Sequence, residues 1–216
     1  MFQSAEKITL SIVSHGQAAL VRELLNDLAA LSQRNFEVII TVNLPEDESL
    51  YQGFVFPLHI IRNASPKGFG ENHNAAFEYA STAWFAVVNP DIRIQSLDFV
   101  VLLDPFKSKS VAAVAPVVLS AEGAVEDSAR RFPTFFRFAR RVVFRQRKSD
   151  YDIQSAPYQV DWVAGMFIAF RREAFQQVGG FDSRRFYMYL EGADICRRMG
   201  KNNWHVVSAM RFLTGL

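Results

Sequence analysis

Cysteine is almost absent from this sequence. Cys196 stands alone among 216 residues, which excludes an internal disulfide framework and a four-cysteine zinc site and fits a reducing compartment. Histidine is scarce as well: His15, His59, His73 and His205 form no pair at metal-ligand spacing, and no Gly-x-Ser-x-Gly elbow is present. Zinc and serine-hydrolase chemistry therefore find no support. Long apolar runs are also missing, since Val111 to Leu119, broken by Pro116, falls far short of the roughly 20 residues that a membrane-spanning helix needs. The first residues, Met1 to Lys7, show no basic stretch followed by an apolar core, so no secretory signal is expected and the cytoplasm is the expected location. Neither sign of charge dominates: the net charge of +2 gives no ground for nucleic acid as a partner. No linker rich in Pro, Gly or Ser and no repeat divides the chain, so one domain spanning residues 1–216 is expected.

What is present is a chain half hydrophobic, patterned as alternating strands and helices. Ile8 to Val13 reads as a buried strand, and Gln17 to Ser32 follows with Leu20, Val21, Leu24, Leu25, Leu28 and Leu31 at helical spacing. Phe36 to Val42 and Leu58 to Arg62 read as further strands, Gly70 to Ser81 as a helix, and Trp84 to Val88 as a fourth buried strand. Near-continuous apolar strands in β-α units imply a single three-layer α/β/α domain with a mostly parallel central sheet. Ligands bind outside the carboxyl ends of such strands. Those ends carry a polar rim of Ser14-His15, Asn43, Asn63 and Asp91. The second half is less regular, with strands expected at Val111 to Leu119 and Val163 to Phe170. A helix from Arg172 to Val178 is closed by Gly179-Gly180, and a last helix, about Glu191 to Met199, precedes a strand at Trp204 to Val207.

Four constellations could carry chemistry. Lys67-Gly68-Phe69-Gly70-Glu71-Asn72 lacks the Gly-Lys-Ser/Thr ending of a phosphate loop and reads as a glycine-rich helix start. Asn89-Pro90-Asp91 follows a buried strand at the sheet mouth. A carboxylate there suits Mg²⁺ or Mn²⁺ shared with phosphate oxygens, or simply solvates the strand end in a turn. Glu191 and Asp194, three apart on one helix face after Phe186-Tyr187-Met188-Tyr189, could supply a general base, or could be ordinary partners of the helix dipole. Arg130 to Lys148 holds eight basic residues and no acidic one. Arg137, Arg140, Arg141, Arg145 and Lys148 fall on one helical face and Phe135, Phe138, Ala139 and Val142 on another. That pattern fits either an interfacial helix on anionic lipid or a phosphorylated acceptor, or a solvated helix packed by its phenylalanines.

Taken in order, these pieces resemble the family 2 inverting glycosyltransferases of GT-A fold, in the bacterial rhamnosyltransferase-like branch, over nearly the whole chain. The resemblance is carried by Ile8 to His15 as the opening strand, Asn63 to Ala75 as a glycine-phenylalanine-asparagine block, and Asn89-Pro90-Asp91 as a variant of the Asp-x-Asp metal motif. It continues through Arg130-Arg131-Phe132-Pro133-Thr134, Val160 to Phe167, Arg171 to Phe175 and Val178 to Asp182. It implies that Ser14, His15, Asn43, Gly68, Asn72, Asn89 and Asp91 bind the nucleotide-sugar donor, with Asp91 holding a divalent cation, Mg or Mn. Trp162, Gly165, Arg130 and Arg131 would meet the sugar or acceptor, and Glu191, with Asp194 as second choice, would serve as base.

The implied reaction is direct displacement with inversion, from a nucleotide-diphosphate sugar such as dTDP-rhamnose to a saccharide or lipid-linked oligosaccharide of the cell envelope, such as lipopolysaccharide. Contact with the inner face of the membrane would accompany it. Two departures favour an alternative, a catalytically impaired nucleotide-sugar-binding or scaffold protein: Val42-Asn43 stands where members have Asp-Asn, and Gly192 stands where they usually keep the base. The domain is also expected to be short at its C-terminal side, since a downstream histidine and helices that many members carry have no counterpart up to Leu216.

Overall fold

The structure, a computed structural model, describes residues 7–94, 97–119, 129–132, 151, 157–164, 166–187 and 190–215. Strand β1 (Ile8–Ser14) leads through helix α1 (Ala18–Ala30) to β2 (Phe36–Val42), a 3₁₀ turn (Glu48–Tyr51) and β3 (Leu58–Arg62). Helix α2 (Phe69–Tyr79) then returns the chain to β4 (Trp84–Val88). After the short β5 (Ile92–Arg93), helix α3 (Phe99–Leu103) precedes β6 (Val111–Leu119) and β7 (Ala129–Arg130). The remaining elements are β8 (Tyr158–Val160), β9 (Trp162–Val163), β10 (Phe167–Arg171), α4 (Arg172–Gln177), α5 (Glu191–Lys201) and β11 (His205–Gly215).

The main sheet runs β3-β2-β1-β4-β10-β6-β11-β5, with β8 on β11, while β7 and β9 pair separately. Strands β1 to β4 are mutually parallel, as suits largely apolar strands covered on both faces. Alternation along β4 shows the two faces. Trp84, Ala86 and Val88 join the apolar cluster that includes α1 and α3, and Phe85 and Val87 join the one that includes α2, α4 and α5. In α1, Val21, Leu24, Leu25 and Leu28 recur at the spacing of one helical face and are all buried. Two helical layers on one mostly parallel sheet are the expected architecture.

Two expectations needed adjustment. The strand expected over Val163 to Phe170 is two: Met166 N–H donates to Ala164 O at 2.9 Å, and this tight turn sends β9 to pair with β7 and β10 into the main sheet. There β10 runs antiparallel to both β4 and β6, an exception inside an otherwise parallel region. The last strand extends to Gly215 rather than Val207 because β6 offers it a long parallel edge. The expected basic helix lies outside the described residues apart from the segment 130–132, which is not helical. Arg130 lies in β7, whereas Arg137, Arg140, Arg141, Arg145, Lys148 and the intervening phenylalanines lie outside the described residues, as does Gly165. Helix α4 does stop at Gly179 and Gly180, whose φ values of +74° and +66° place both in the left-handed region that ends helices.

Candidate functional site

From β1 the chain moves outward to β2 and β3 on one side, then crosses back through α2 to β4 on the other. The carboxyl ends of β1 and β4 therefore flank the point where strand order reverses, which is where a crevice opens in such sheets. A cleft of about 210 Å³ lies there, lined among others by His15, Asn43, Lys67, Asn72, Asn89, Asp91 and Tyr187. Of the expected donor-binding residues, five thus share one cavity. Ser14 and Gly68 are buried behind it. The Ser14 hydroxyl is already used, donating to Glu46 Oε2 at 2.7 Å and accepting from Gln17 N–H at 3.2 Å. A Cβ on Gly68 would lie 2.7 Å from the Tyr187 carbonyl oxygen, so only glycine lets residues 68 and 187 approach this closely.

The turn at Lys67 is held from below. Asn43, at the end of β2, accepts from Lys67 N–H at 2.8 Å and donates to Lys67 O at 3.0 Å. Asn72 donates to the same carbonyl at 3.1 Å, and Asn63 bridges Asn43 and Asn72 at 2.8 and 2.6 Å. Phe69 N–H donates to Tyr187 O at 3.1 Å, which carries the pinning across to the segment before α5. His73 lies beneath, its Nδ1 2.8 Å from Ser11 Oγ, and burial lowers its pKa to about 3, so the ring is neutral. At the rim, Asn89 N–H donates to Met166 O at 2.9 Å, and Asp91 is exposed. The Asp91 side chain makes no hydrogen bond or ion pair among the described residues.

Glu191 and Asp194, the two candidates for the base, sit in different surroundings. Glu191 is buried at the start of α5, close to Gly70 and Phe181, and is not part of the cleft wall. Burial raises its pKa above the ordinary carboxylate value, and its Oε1 has no hydrogen-bond partner among the described residues. Asp194 is ion-paired with Arg198 at 2.7 Å, one helical turn on. Cys196 is buried in the same helix, its thiol pushed up to about 12 by burial, and fills the core.

Trp162, Arg130 and Arg131 do come together, in a second patch. The Trp162 indole N–H donates to Arg131 O at 3.2 Å, Arg130 lies over the Trp162 ring at 5.5 Å, and Arg131 lies over Tyr151 at 4.8 Å. Asp161 ties the patch, accepting from Phe132 N–H at 2.8 Å and from the Tyr151 hydroxyl at 3.1 Å. Strand β9 packs on α5, so this patch borders the helix that begins with Glu191.

Sequence reasoning passed over Asp161, Tyr151 and Asn74. Asn74 Nδ2 donates to Phe181 O at 2.8 Å and its Oδ1 accepts from Phe181 N–H at 2.9 Å, across 107 residues of chain. No local signal marks such a clasp, although Asn74 falls within the block Asn63 to Ala75.

A family model described as Glycosyltransferase like family 2 matches residues 5–214. The chain belongs to that family. Two curated relatives in Mycobacterium tuberculosis, strains CDC 1551 / Oshkosh and ATCC 25618 / H37Rv, are named N-acetylglucosaminyl-diphospho-decaprenol L-rhamnosyltransferase. Each is 31% identical over 135 residues, covering 56% of this chain and 42% of the relative. The match thus spans less than half of the curated relatives' length. Among solved structures, GalNAc-T7 with UDP, GalNAc and Mn²⁺ superposes with a TM-score of 0.73 at 13% identity, over 97% of this chain and 44% of the other. The Pyrobaculum calidifontis mannosyltransferase PcManGT with GDP-Man and Mn²⁺ gives 0.66 at 15% identity, over 97% and 56%. At that identity the likeness is one of fold. The family 2 chain has the GT-A architecture expected of it.

Proposed function

We propose that this family 2 chain is a glycosyltransferase domain that binds a nucleotide-diphosphate sugar in the cleft at the ends of β1, β2 and β4. It passes the sugar, with inversion, to a saccharide or lipid-linked acceptor of envelope polysaccharide synthesis. The observation that carries this reading is a cleft at the strand-order reversal that places the ammonium-bearing Lys67 and the carboxylate of Asp91 on one wall system. The rhamnosyltransferase relatives support a deoxysugar such as rhamnose as the donor sugar, and dTDP is the carrier proposed for it. Among the described residues no helix is long and apolar enough to cross a membrane.

The residues fit a divalent cation shared with the ligand rather than caged by protein. No group of three or more His, Cys, Asp or Glu able to hold a metal occurs among the described residues, whereas Asp91 offers one exposed carboxylate. Mg²⁺ or Mn²⁺ so held would neutralise the charge on a leaving diphosphate. Asn43, Asn63 and Asn72 hold the Lys67 turn in one shape for the donor. Glu191 is the proposed proton acceptor from the acceptor hydroxyl, because a carboxylate desolvated enough to have a raised pKa holds a proton better at neutral pH.

Melting temperatures measured with UDP, dTDP and GDP, each with and without Mn²⁺, test the reading. A ligand at about 100 times its Kd stabilises the native state by about 2.7 kcal/mol. At least one nucleotide should raise the melting temperature more with Mn²⁺ than without, and Asp91→Asn should remove that increment. No nucleotide-dependent shift in any arm would sink the donor assignment. A second reading, binding without turnover, is favoured by Glu191 lying outside the cleft wall and by Gly192 beside it. Metal-dependent release of nucleotide diphosphate in the presence of an acceptor would exclude it.

A further inference from the structure

The hydrogen bonds beneath the cleft determine which nitrogen of His15 carries its hydrogen. Lys67 N–H can only donate, so the Asn43 atom that meets it at 2.8 Å is the carbonyl oxygen Oδ1. The other end of the carboxamide, Nδ2, is therefore the donor, in agreement with its 3.0 Å contact to Lys67 O. Nδ2 also lies 2.9 Å from His15 Nδ1. An amide NH₂ has no acceptor capacity, so Nδ1 must accept and carries no hydrogen. A neutral imidazole has one N–H, and it is then on Nε2. His15 is exposed and lines the cleft with Lys67, Asn89 and Asp91.

We infer that Asn43 is a positioning residue that reads the Lys67 backbone and locks His15 in the Nε2–H tautomer. His15 thereby presents a hydrogen-bond donor to an acceptor oxygen of the bound nucleoside diphosphate. The inference rests on the donor-binding reading above and adds a direction to it. Asn43 is buried, with Oδ1 engaged by Lys67 and Asn63 and Nδ2 by Lys67 and His15, so its contribution to ligand recognition passes through the ring it orients. If the Lys67 turn moved, Asn43 would lose the contacts that fix its own orientation, so the shape of the turn and the donor character of His15 are set together.

Long-range ¹H–¹⁵N spectra of the imidazoles at pH 8, with His15 assigned by its loss in His15→Gln, should show the Nε2–H pattern for His15. In Asn43→Asp the side chain can only accept, and the His15 signal should move to the Nδ1–H or doubly protonated pattern. Binding of dTDP supplies the second arm. His15→Gln carries an amide NH₂ to about the position of Nε2 and should keep affinity within about threefold, whereas His15→Asn reaches only the Nδ1 position and should lose about tenfold. Repeating the pair with inorganic pyrophosphate and with thymidine identifies the oxygen: whichever ligand shows the Gln-over-Asn difference contains it. An Nδ1–H pattern in the wild type, with dTDP binding intact, overturns the Asn43 assignment alone. Equal losses in His15→Gln and His15→Asn overturn the donor contact. Failure of the wild type to bind any nucleotide overturns both that contact and the donor-binding reading.

Discussion

Asn43 and Glu191 are equally buried, each 4% exposed, yet they differ in how their hydrogen-bonding demands are met. Both ends of the Asn43 carboxamide are in use, against Lys67, Asn63 and His15, which is the ordinary condition of a buried polar group. Glu191 Oε1 has no partner among the described residues, its pKa is raised by burial, and the residue before it, Leu190, has a left-handed φ of +66°. A non-glycine residue there costs on the order of 1 kcal/mol or more. The donor side of the cleft is thus a settled network, while the start of α5 holds unmet demand and backbone strain together. Strain and desolvation of this kind collect where chemistry or ligand contact is required. The contrast supports Asn43 as scaffold and Glu191 as reactive group.

Glu191→Gln breaks that contrast most sharply. If Glu191 is the base, turnover falls at least about 100-fold, because positioned proton transfer contributes roughly 10² to 10⁴. Stability moves the other way. A folded-state pKa above the unfolded value means that the group's favourable contribution is present below the unfolded pKa and lost as pH rises through the folded one. Wild-type stability should therefore decline as pH rises past the ordinary carboxylate range, and the glutamine variant should lack this decline and melt higher at pH 8. Denaturant melts across pH 4 to 8, alongside rates of nucleotide release, measure both. Normal turnover in Glu191→Gln removes the base assignment.

The two regions are joined at Asn74, so Asn74→Ala is expected to have the next largest effect. Its carboxamide satisfies both Phe181 N–H and Phe181 O, and Phe181 is 2% exposed, so water does not easily replace it. Phe181 O keeps the Ser183 N–H at 3.0 Å, so the substitution leaves one buried main-chain group, Phe181 N–H, unmet, at a cost of about 1–3 kcal/mol. Gly180 stands against the same side chain: a Cβ there would lie 2.5 Å from Asn74 Oδ1. A chemical-denaturation midpoint unchanged in Asn74→Ala would show that the halves are held by packing of Phe69, Phe175 and Phe181 alone.

The parallel half of the fold was legible because strands buried on both faces leave near-continuous apolar runs, unbroken at Trp84 to Val88 and interrupted only by Glu37 and Thr41 at Phe36 to Val42. Proline at position 90 and the acid after it marked the strand mouth correctly, since a residue without N–H cannot continue a central ladder. The direction of β10 was not legible, because an apolar run of four residues packs equally well either way and its partners are about 80 residues distant in β4 and some 55 in β6. Burial of Glu191 was hidden for a related reason. Helical spacing places it in a polar first turn, and only the missing side chain of Gly70, whose Cβ would lie 2.7 Å from Phe181 Cβ, lets Phe181 and Glu191 close over it. Asn74 and Asp161 act on chain segments far away or outside their own motif, where periodicity carries no information.

The smallest expected effect sharpens the donor side. Lys67 Nζ is 3.2 Å from Glu71, one turn into α2, and both side chains are more than a third exposed, so the pair stabilises the fold by less than about 0.5 kcal/mol. Its larger role is electrostatic, because Glu71 offsets the positive charge that Lys67 brings to the cleft. Glu71→Gln should leave the melting temperature nearly unchanged while raising affinity for dTDP a few-fold at low salt. The gain should shrink toward zero at 0.5 M NaCl, where a Debye length of about 4 Å screens exposed charges. Asn43→Ala, by contrast, should weaken binding at every salt concentration, since it removes shape rather than charge. Isothermal titrations at two salt concentrations separate the two variants. A salt-insensitive gain in Glu71→Gln would mean that Lys67 meets the ligand through the geometry of its turn and not through its charge.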